Sequence, residues 1–298
     1  MIKIITKFYI IFLLITLSAC ETSQSINLDT NKNKVSIETL RITSNAEIIG
    51  TVDSLGVYKW LGIPYAEKPI NNLRWRATRE LKNYDKKYEA VSFAEPCVQF
   101  QSSLTNNGLV KPGAVVGSED CLYLNIYSPA FSRNSILNDN IKLPVMVWIH
   151  GGGNTTGMPS EYNPEVFVRS EEIIFVSIAY RLGIFGWLSH PELREQGGED
   201  SSSNFGLLDQ IMALKWIKEN IQFFGGDPNN ITIFGESAGG QNVIALYSSP
   251  LSRGLFDKAI SQSGGTTVTS TNDAEKINRN APEYISNYKN RHVTTEEW

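Results

Sequence analysis

The stretch that decides the fold is residues 231–247, which read ITIFGESAGGQNVIALY. The apolar run Ile231–Phe234 predicts a buried strand, and 238–247 predicts a compact helix. A strand that turns abruptly into a helix strains the backbone of its corner residue, and flanking glycines keep side chains out of that corner. Here Gly235 and Gly239 are those glycines. We therefore predict that Ser237 is a nucleophile raised at the carboxyl edge of a sheet.

A second motif, His150-Gly151-Gly152-Gly153, follows the apolar run 143–149 directly. Successive glycines let backbone N–H groups approach a substrate oxygen with no side chain between them. Acyl transfer creates an oxyanion that needs such donors, and losing one typically costs about 10²–10³ in rate. A glycine loop of this kind, together with the amide after the nucleophile, is expected in lipases and esterases. His150 is predicted to orient the loop and not to act as a base.

Outward from these motifs, strands alternate with helices. Such alternation predicts an α/β fold with a mostly parallel sheet and helices on both faces. Residues 48–65, broken by two glycines, predict an N-terminal antiparallel hairpin. The remaining predicted elements are strands at 122–127 (where the residue types alternate), 143–149, 173–180 and 256–261, and an amphipathic helix at 204–223 that ends at Gly225-Gly226-Asp227-Pro228.

Composition narrows the class of protein. The chain has 298 residues, 41% of them hydrophobic, so it can bury a large core, and 37–298 is predicted to be one domain. The net charge is −4 and the 27 basic residues form no dense run, which argues against nucleic acid as a partner. The sequence predicts no cofactor and no metal site.

The N-terminus predicts export. Lys3 and Lys7 precede the apolar run 8–17, which is too short to span a bilayer permanently. The run ends in Leu-Ser-Ala-Cys at 17–20, which resembles the lipobox of bacterial lipoproteins. We expect 1–19 to be a signal peptide, Cys20 to carry a lipid that holds the protein on a membrane, and 20–36 to be a flexible tether. The alternative is an ordinary secretory signal in which Cys20 is incidental.

The location follows from the same segment. Residue Glu21 resembles the outer-membrane sorting pattern of Gram-negative lipoproteins, so we expect the protein in the bacterial cell envelope. Cys97 and Cys121 then form an even pair in an oxidising compartment. We expect either a disulfide bridge between them or, as the alternative, two buried free thiols.

Four segments of the sequence form a distinctive set. They are Gly62-Ile63-Pro64-Tyr65-Ala66 with Leu73-Arg74-Trp75; Glu119-Asp120-Cys121-Leu122-Tyr123-Leu124-Asn125; Tyr180-Arg181-Leu182-Gly183 with Asn204-Phe205-Gly206-Leu207-Leu208-Asp209-Gln210; and Gly225-Gly226-Asp227-Pro228 through the serine motif to Ser261-Gln262-Ser263-Gly264. Together they cover most of 40–265, and in this order they resemble the type-B carboxylesterase family, which includes cholinesterases and bacterial para-nitrobenzyl-type esterases.

This resemblance implies an α/β-hydrolase fold and roles for individual residues. Ser237 would form the acyl-enzyme, and the amides of Gly152, Gly153 and Ala238 would form the oxyanion hole. Cys97 and Cys121 match the family's N-terminal disulfide.

The resemblance assigns no catalytic role to three further positions. Asn154 departs from the aromatic residue often found after the glycines. Ser263 is either a supporting group near the site or a plain turn serine. His190 matches a family segment outside the catalytic triad.

Family members place the catalytic acid and histidine far beyond the serine, whereas His292 is the sole downstream histidine here and lacks the expected neighbours. We therefore expect the N-terminal portion of an α/β-hydrolase, with its C-terminal part missing and little activity as given. The expected activity of the family is hydrolysis of small-molecule carboxylic esters. The alternative is a non-catalytic cell-surface binding or adhesion member of the same family.

Overall fold

The computed structural model describes residues 35–280, except 45, 83–85, 106–112, 132–133, 135–140 and 267. The predicted signal peptide, Cys20, most of the predicted tether and His292 lie outside these residues. All described residues belong to one compact unit. Every helix among them is too short or too polar to cross a membrane.

Twelve strands and six α-helices form within the described ranges, joined by short 3₁₀ segments. The strands are β1 (Arg41–Ile42), β2 (Glu47–Ile49), β3 (Thr51–Val52), β4 (Tyr58–Pro64), β5 (Lys87–Glu89), β6 (Gln99–Phe100), β7 (Val115–Val116), β8 (Tyr123–Ser128), β9 (Leu143–Ile149), β10 (Ile174–Ile178), β11 (Gly226–Glu236) and β12 (Lys258–Gln262). The helices are α1 (Glu165–Glu171), α2 (Gly183–Trp187), α3 (Pro191–Arg194), α4 (Phe205–Asn220), α5 (Ala238–Ser248) and α6 (Thr271–Asn278). The 3₁₀ segments are Ile37–Thr39, Asn71–Leu73, Gly198–Ser201, Ile221–Phe224 and Pro250–Ser252.

Seven strands form the central sheet in the order β12-β11-β9-β10-β8-β4-β3. The first four of these are parallel to one another, and β8, β4 and β3 continue the sheet in antiparallel fashion. Gly235 of β11 pairs with Ile149 of β9 on one side and with Ser261 of β12 on the other. The segments that follow β9, β11 and β12 therefore meet at one edge of the sheet.

The sheet is covered on both faces, as the sequence predicts. Along β9 the side chains alternate: Val145, Val147 and Ile149 belong to the large cluster that contains residues of α4 and α5, whereas Trp148 belongs to a smaller cluster on the other face. That smaller cluster includes Val168 of α1. The period-2 alternation of a strand thus places helices on opposite faces.

Most sequence-predicted elements form close to their predicted bounds, and the hairpin at 48–65 appears as the antiparallel pair β3–β4. Two details differ. The strand predicted at 122–127 forms as β8, but five of its six residues are buried despite the alternating sequence, because β8 lies between β10 and β4 with both faces covered. The strand predicted at 231–234 extends back to Gly226, with a register shift before Ile231.

Covalent and ionic links join distant parts of the fold. Cys97 and Cys121 form a disulfide across 24 residues, so the bridge is present and the free-thiol alternative is wrong. Arg181, after β10, is buried and paired with the buried carboxylate of Asp209 in α4, with Nη2 to Oδ1 at 2.7 Å and Nε to Oδ2 at 2.8 Å. Thr78 donates its hydroxyl to the same carboxylate. The pairing fixes α4 beneath the carboxyl edge of the sheet.

Candidate active site

Ser237 lies at the corner between β11 and α5 with φ 55° and ψ −120°, a conformation that residues other than glycine seldom adopt. Its side chain is exposed. Its backbone N–H donates to the carbonyl of Gln262 at the end of β12 at 2.9 Å, and its carbonyl accepts from Gln241 of α5 at 3.0 Å. The corner is thus held from both sides while the residue stays accessible to solvent. This is the placement predicted for a nucleophile.

The two glycines that flank the corner lie where neighbouring backbone leaves no room for a side chain. A Cβ on Gly235 would lie 2.6 Å from the carbonyl oxygen of Ile149, and a Cβ on Gly239 only 2.1 Å from it. Neither distance is sterically possible. The end of β9 therefore passes so close to the corner that only glycine is accommodated on either side of Ser237.

The glycine loop that follows β9 runs beside Ser237. A Cβ on Gly151 would lie 3.4 Å from the Cβ of Ser237. Gly152 and Gly153 have φ of 90° and 64°. In the part of the chain that the structure describes, the backbone N–H groups of Gly152, Gly153 and Ala238 have no hydrogen-bond partner. Three backbone donors next to an exposed serine can stabilise a developing negative charge, and the assignment of these three as the oxyanion hole stays a prediction.

His150 is buried beneath this loop. Its ring stacks on Tyr180, with centroids 4.4 Å apart, and the Tyr180 hydroxyl donates to the His150 carbonyl at 2.6 Å. Nδ1 lies 2.9 Å from the carbonyl oxygen of Gly151, and since a carbonyl only accepts, Nδ1 carries the proton. Burial lowers the pKa of His150 from 6.5 to about 4, so the ring is neutral at pH 7. These contacts agree with the prediction that His150 orients the loop.

Asn154 follows the glycines and adopts φ 56°. Its side-chain amide exchanges two hydrogen bonds with that of Asn242 in α5: Asn242 Nδ2 donates to Asn154 Oδ1 at 2.8 Å, and Asn154 Nδ2 donates to Asn242 Oδ1 at 3.3 Å. Where an aromatic side chain would be expected, this pair ties the loop to the helix behind Ser237. Sequence reasoning missed Asn242, whose one signal is a polar side chain on a buried helix face.

Two carboxylates also lie in this region and were missed. Glu236 immediately precedes Ser237, and a Cβ on Gly151 would lie 3.4 Å from its Oε2. Burial, followed by the charge of Glu236, raises the pKa of Glu161. The surroundings of Ser237 are therefore acidic.

The other predicted residues are placed as follows. His190 is buried and caps α3, its Nδ1 accepting from the Glu192 N–H at 3.3 Å, which agrees with a structural role. Ser263 follows β12 with φ 53°, and its supporting role stays a prediction. Across the described ranges, no three His, Cys, Asp or Glu side chains are grouped so as to hold a metal ion.

A mixed sheet covered by helices on both faces, with a strained serine between a parallel strand and a helix, defines the α/β-hydrolase class. Solved structures agree. A thermophilic para-nitrobenzyl (PNB) esterase superposes with a TM-score of 0.73 at 36% sequence identity, over 84% of this chain and 49% of that one.

Residues 34–290 match the model of the carboxylesterase family, and the chain belongs to that family. It is 40% identical over 234 residues to the para-nitrobenzyl esterase of Bacillus subtilis (strain 168). The aligned region covers 78% of this chain and 45% of the relative. It is also 40% identical over 248 residues to liver carboxylesterase B-1 of Rattus norvegicus, covering 81% of this chain and 41% of the relative. The chain thus spans less than half the length of these relatives.

Proposed function

We propose that this protein is a carboxylic-ester hydrolase that acts through an acyl-enzyme on Ser237. The observation that carries the proposal is the exposed, strained Ser237 beside a loop with unoccupied amide donors. The names of the relatives support the reaction class, since they are esterases. The substrate proposed is a small-molecule carboxylic ester.

In the proposed reaction, Ser237 Oγ attacks the ester carbonyl carbon as a base removes its proton. The carbonyl oxygen becomes an oxyanion that accepts from the amides of Gly152, Gly153 and Ala238. Collapse of the tetrahedral intermediate expels the alcohol, which takes up the proton, and leaves the acyl group on Ser237. Water then attacks the acyl-enzyme by the same steps and releases the carboxylic acid.

The base for this reaction is neither of the described histidines. The ring of His150 is stacked on Tyr180 and bonded to Gly151, while His190 caps α3. The proposal therefore takes its base from outside the described residues.

The test is labelling of the protein, purified from cells that produce it naturally, with a fluorophosphonate probe. We expect a covalent adduct that peptide mass spectrometry locates on Ser237. A Ser237→Ala variant should not label, and a variant at an exposed serine of α1, Ser170→Ala, should label at a comparable rate. A folded native protein that does not label would overturn the proposal and favour a non-catalytic binding member of the family.

We further propose that the protein is exported and held in the bacterial cell envelope by a lipid on Cys20. The support is the lipobox-like sequence at 17–20 with Lys3 and Lys7 ahead of it. A Cys20→Ser variant should move from the membrane fraction to the soluble envelope fraction, whereas Thr22→Ser should not. Membrane retention of Cys20→Ser would count against the lipid anchor.

A further inference from the structure

The side chain of Gln99 links the disulfide-bridged segment to the loop beyond the glycines. Gln99 lies in β6, two residues after Cys97, and is 5% exposed. Its Nε2 donates to the carbonyls of Cys97 at 2.8 Å and Gly157 at 2.9 Å. Its Oε1 accepts from the N–H of Gly157 at 2.7 Å and from the Thr156 hydroxyl at 2.8 Å. One buried amide thus binds both backbone polar groups of Gly157.

Gly157 in turn lies against the ring of His150. With φ 120°, a Cβ at this position would come within 2.5 Å of His150 Nδ1 and 2.9 Å of the Gly151 carbonyl oxygen. The backbone of Gly157 is therefore in direct contact with the imidazole. If Gly157 were displaced, the imidazole would lose the backbone contact that holds it in place.

The hydrogen bond to the Gly151 carbonyl also orients the amide of Gly152, because the peptide group that contains both is planar. The carbonyl of Gly151 and the N–H of Gly152 belong to one planar peptide group and point in opposite directions. His150 Nδ1 donates to that carbonyl at 2.9 Å. The direction of the Gly152 N–H is consequently set by the position of the His150 ring.

The same reasoning applies one peptide further on. The carbonyl of Gly152 accepts from the N–H groups of Thr155 at 3.1 Å and Thr156 at 3.0 Å, and the Gly153 N–H lies in the same peptide plane. Thr156 is held by Gln99 through its hydroxyl, which also lies 2.6 Å from Ser102 Oγ. Both amides thus depend on backbone that Gln99 secures.

We propose that Gln99 is a positioning residue that aligns the amides of Gly152 and Gly153 for the oxyanion. Its effect on rate rests on the proposed function, whereas its hold on the loop does not. Gln99 does not contact the reacting atoms; it acts through Thr156, Gly157 and His150. Because loss of one oxyanion donor costs about 10²–10³ in rate, partial misalignment of two should lower kcat by at least about tenfold with little change in KM.

The first experiment needs no activity. Hydrogen exchange of the 298-residue chain is compared between wild type and Gln99→Ala. We expect the hydrogen-bonded amides of Thr155, Thr156 and Gly157 to exchange at least about tenfold faster, while those of β9 and β10 keep their rates. Gln222→Ala is the control with the same substitution. Gln222 lies in the 3₁₀ segment that precedes β11, far along that strand from Ser237, and its loss should change neither set of amides. Unchanged exchange at 155–157 would overturn the proposal.

The second experiment measures kcat and KM for a para-nitrophenyl ester, and the fluorophosphonate labelling rate, on the natively produced protein. Lower kcat and slower labelling in Gln99→Ala, with KM and melting temperature nearly unchanged, are expected. Faster loop exchange with an unchanged kcat would overturn the positioning role. A wild type that neither turns over nor labels would instead overturn the proposed function, and the exchange result would still decide whether Gln99 holds the loop.

A milder variant covers the case in which Gln99→Ala does not fold. Thr156→Val keeps the shape of the side chain but removes the hydroxyl that bonds to Gln99 and Ser102. It should change exchange and kcat in the same direction by about threefold or more, because each lost hydrogen bond contributes only modestly to stability. Thr156→Ser keeps the hydroxyl and should match the wild type. Equal behaviour of the valine and serine variants would contradict the proposal.

Discussion

At the scale of single residues, Ser237 is both exposed and held in a strained backbone conformation. A residue with a Cβ at φ 55° and ψ −120° is destabilised by about 1–3 kcal/mol. The surrounding backbone maintains that conformation through the bond from the Ser237 N–H to Gln262 and the bond from Gln241 to its carbonyl. The arrangement favours function over stability at this position.

Glycine at position 237 should relieve that strain. We expect Ser237→Gly to raise the free energy of unfolding by about 1 kcal/mol relative to Ser237→Ala, which keeps the Cβ and therefore the strain. Neither variant should label with a fluorophosphonate. Urea unfolding of the two proteins side by side gives the comparison, and an alanine variant as stable as the glycine variant would show that the corner is not strained.

The buried His150 should make stability depend on pH. The imidazole takes up a proton near pH 6.5 in the unfolded chain but only near pH 4 in the folded protein. Between these values the unfolded state binds more protons, so stability is full above about pH 6.5, falls as the pH drops and levels off below about 4. The slope from this residue is at most about 1.4 kcal/mol per pH unit.

The measurement is denaturant unfolding of wild type and His150→Asn between pH 4 and 8. Asparagine retains a donor for the Gly151 carbonyl but does not titrate. The difference in stability between the two proteins should shrink as the pH falls from 6.5 to 4 and stay constant above 7. Parallel profiles throughout would mean that the ring is solvated in the folded state.

At the scale of elements, the strand and helix that meet at Ser237 are placed by close backbone contact. The carbonyls of Ile149 and Gln262 lie against Gly239 and Gly240 at the start of α5. Contact this close draws the helix onto the ends of β9 and β12. It also makes the start of α5 intolerant of side chains.

An alanine at 239 should separate these elements. Since its Cβ would meet the Ile149 carbonyl at 2.1 Å, we expect Gly239→Ala to lower the free energy of unfolding by about 3 kcal/mol or more, by the mechanism of overpacking. Gln241→Ala, an exposed position on the same helix, should change it by less than about 0.5 kcal/mol. Thermal or urea unfolding measures both. Equal stabilities would mean that the helix shifts freely along the strand.

Elements were also the scale at which the sequence was most informative. Apolar runs such as 143–149 and the glycine stop at 225–226 predict strand and helix positions because they depend on local periodicity and turn chemistry. Partners across the chain carry no such signal. The bonds from Gln99 to Gly157 and from Asn154 to Asn242 join residues 58 and 88 positions apart, and only the folded backbone brings them together.

At the scale of the whole molecule, a few long-range links hold separate elements of the chain together. The buried pair of Arg181 and Asp209 joins the end of β10 to α4, and Lys59 of β4 pairs with Glu165 of α1 at 2.8 Å. The disulfide closes the segment between β5 and β8 in which Gln99 lies. This segment supports the site although it is far from Ser237 in sequence.

Removal of the disulfide should therefore act on stability and on the loop together. A double variant, Cys97→Ser and Cys121→Ser, should lose about 3 kcal/mol of unfolding free energy, the magnitude for a loop of this size. Exchange at 155–157 should also rise, because Gln99 bonds to the carbonyl of Cys97. Wild-type protein treated with a reductant loses the same bond and is the matched control. It should show the same loss of stability and the same rise in exchange. Unaltered stability would show that the bridge adds nothing to the fold.

One oxygen atom described above has a broader consequence. The carbonyl of Ile149 lies against glycines on both sides of Ser237, and the glycine loop begins one residue later. The serine corner and the start of the loop are therefore packed against the same atom. In the proposed reaction the serine and the amide donors are in place before the substrate binds, so adaptation to the shape of its acyl or alcohol part is expected from the surrounding side chains.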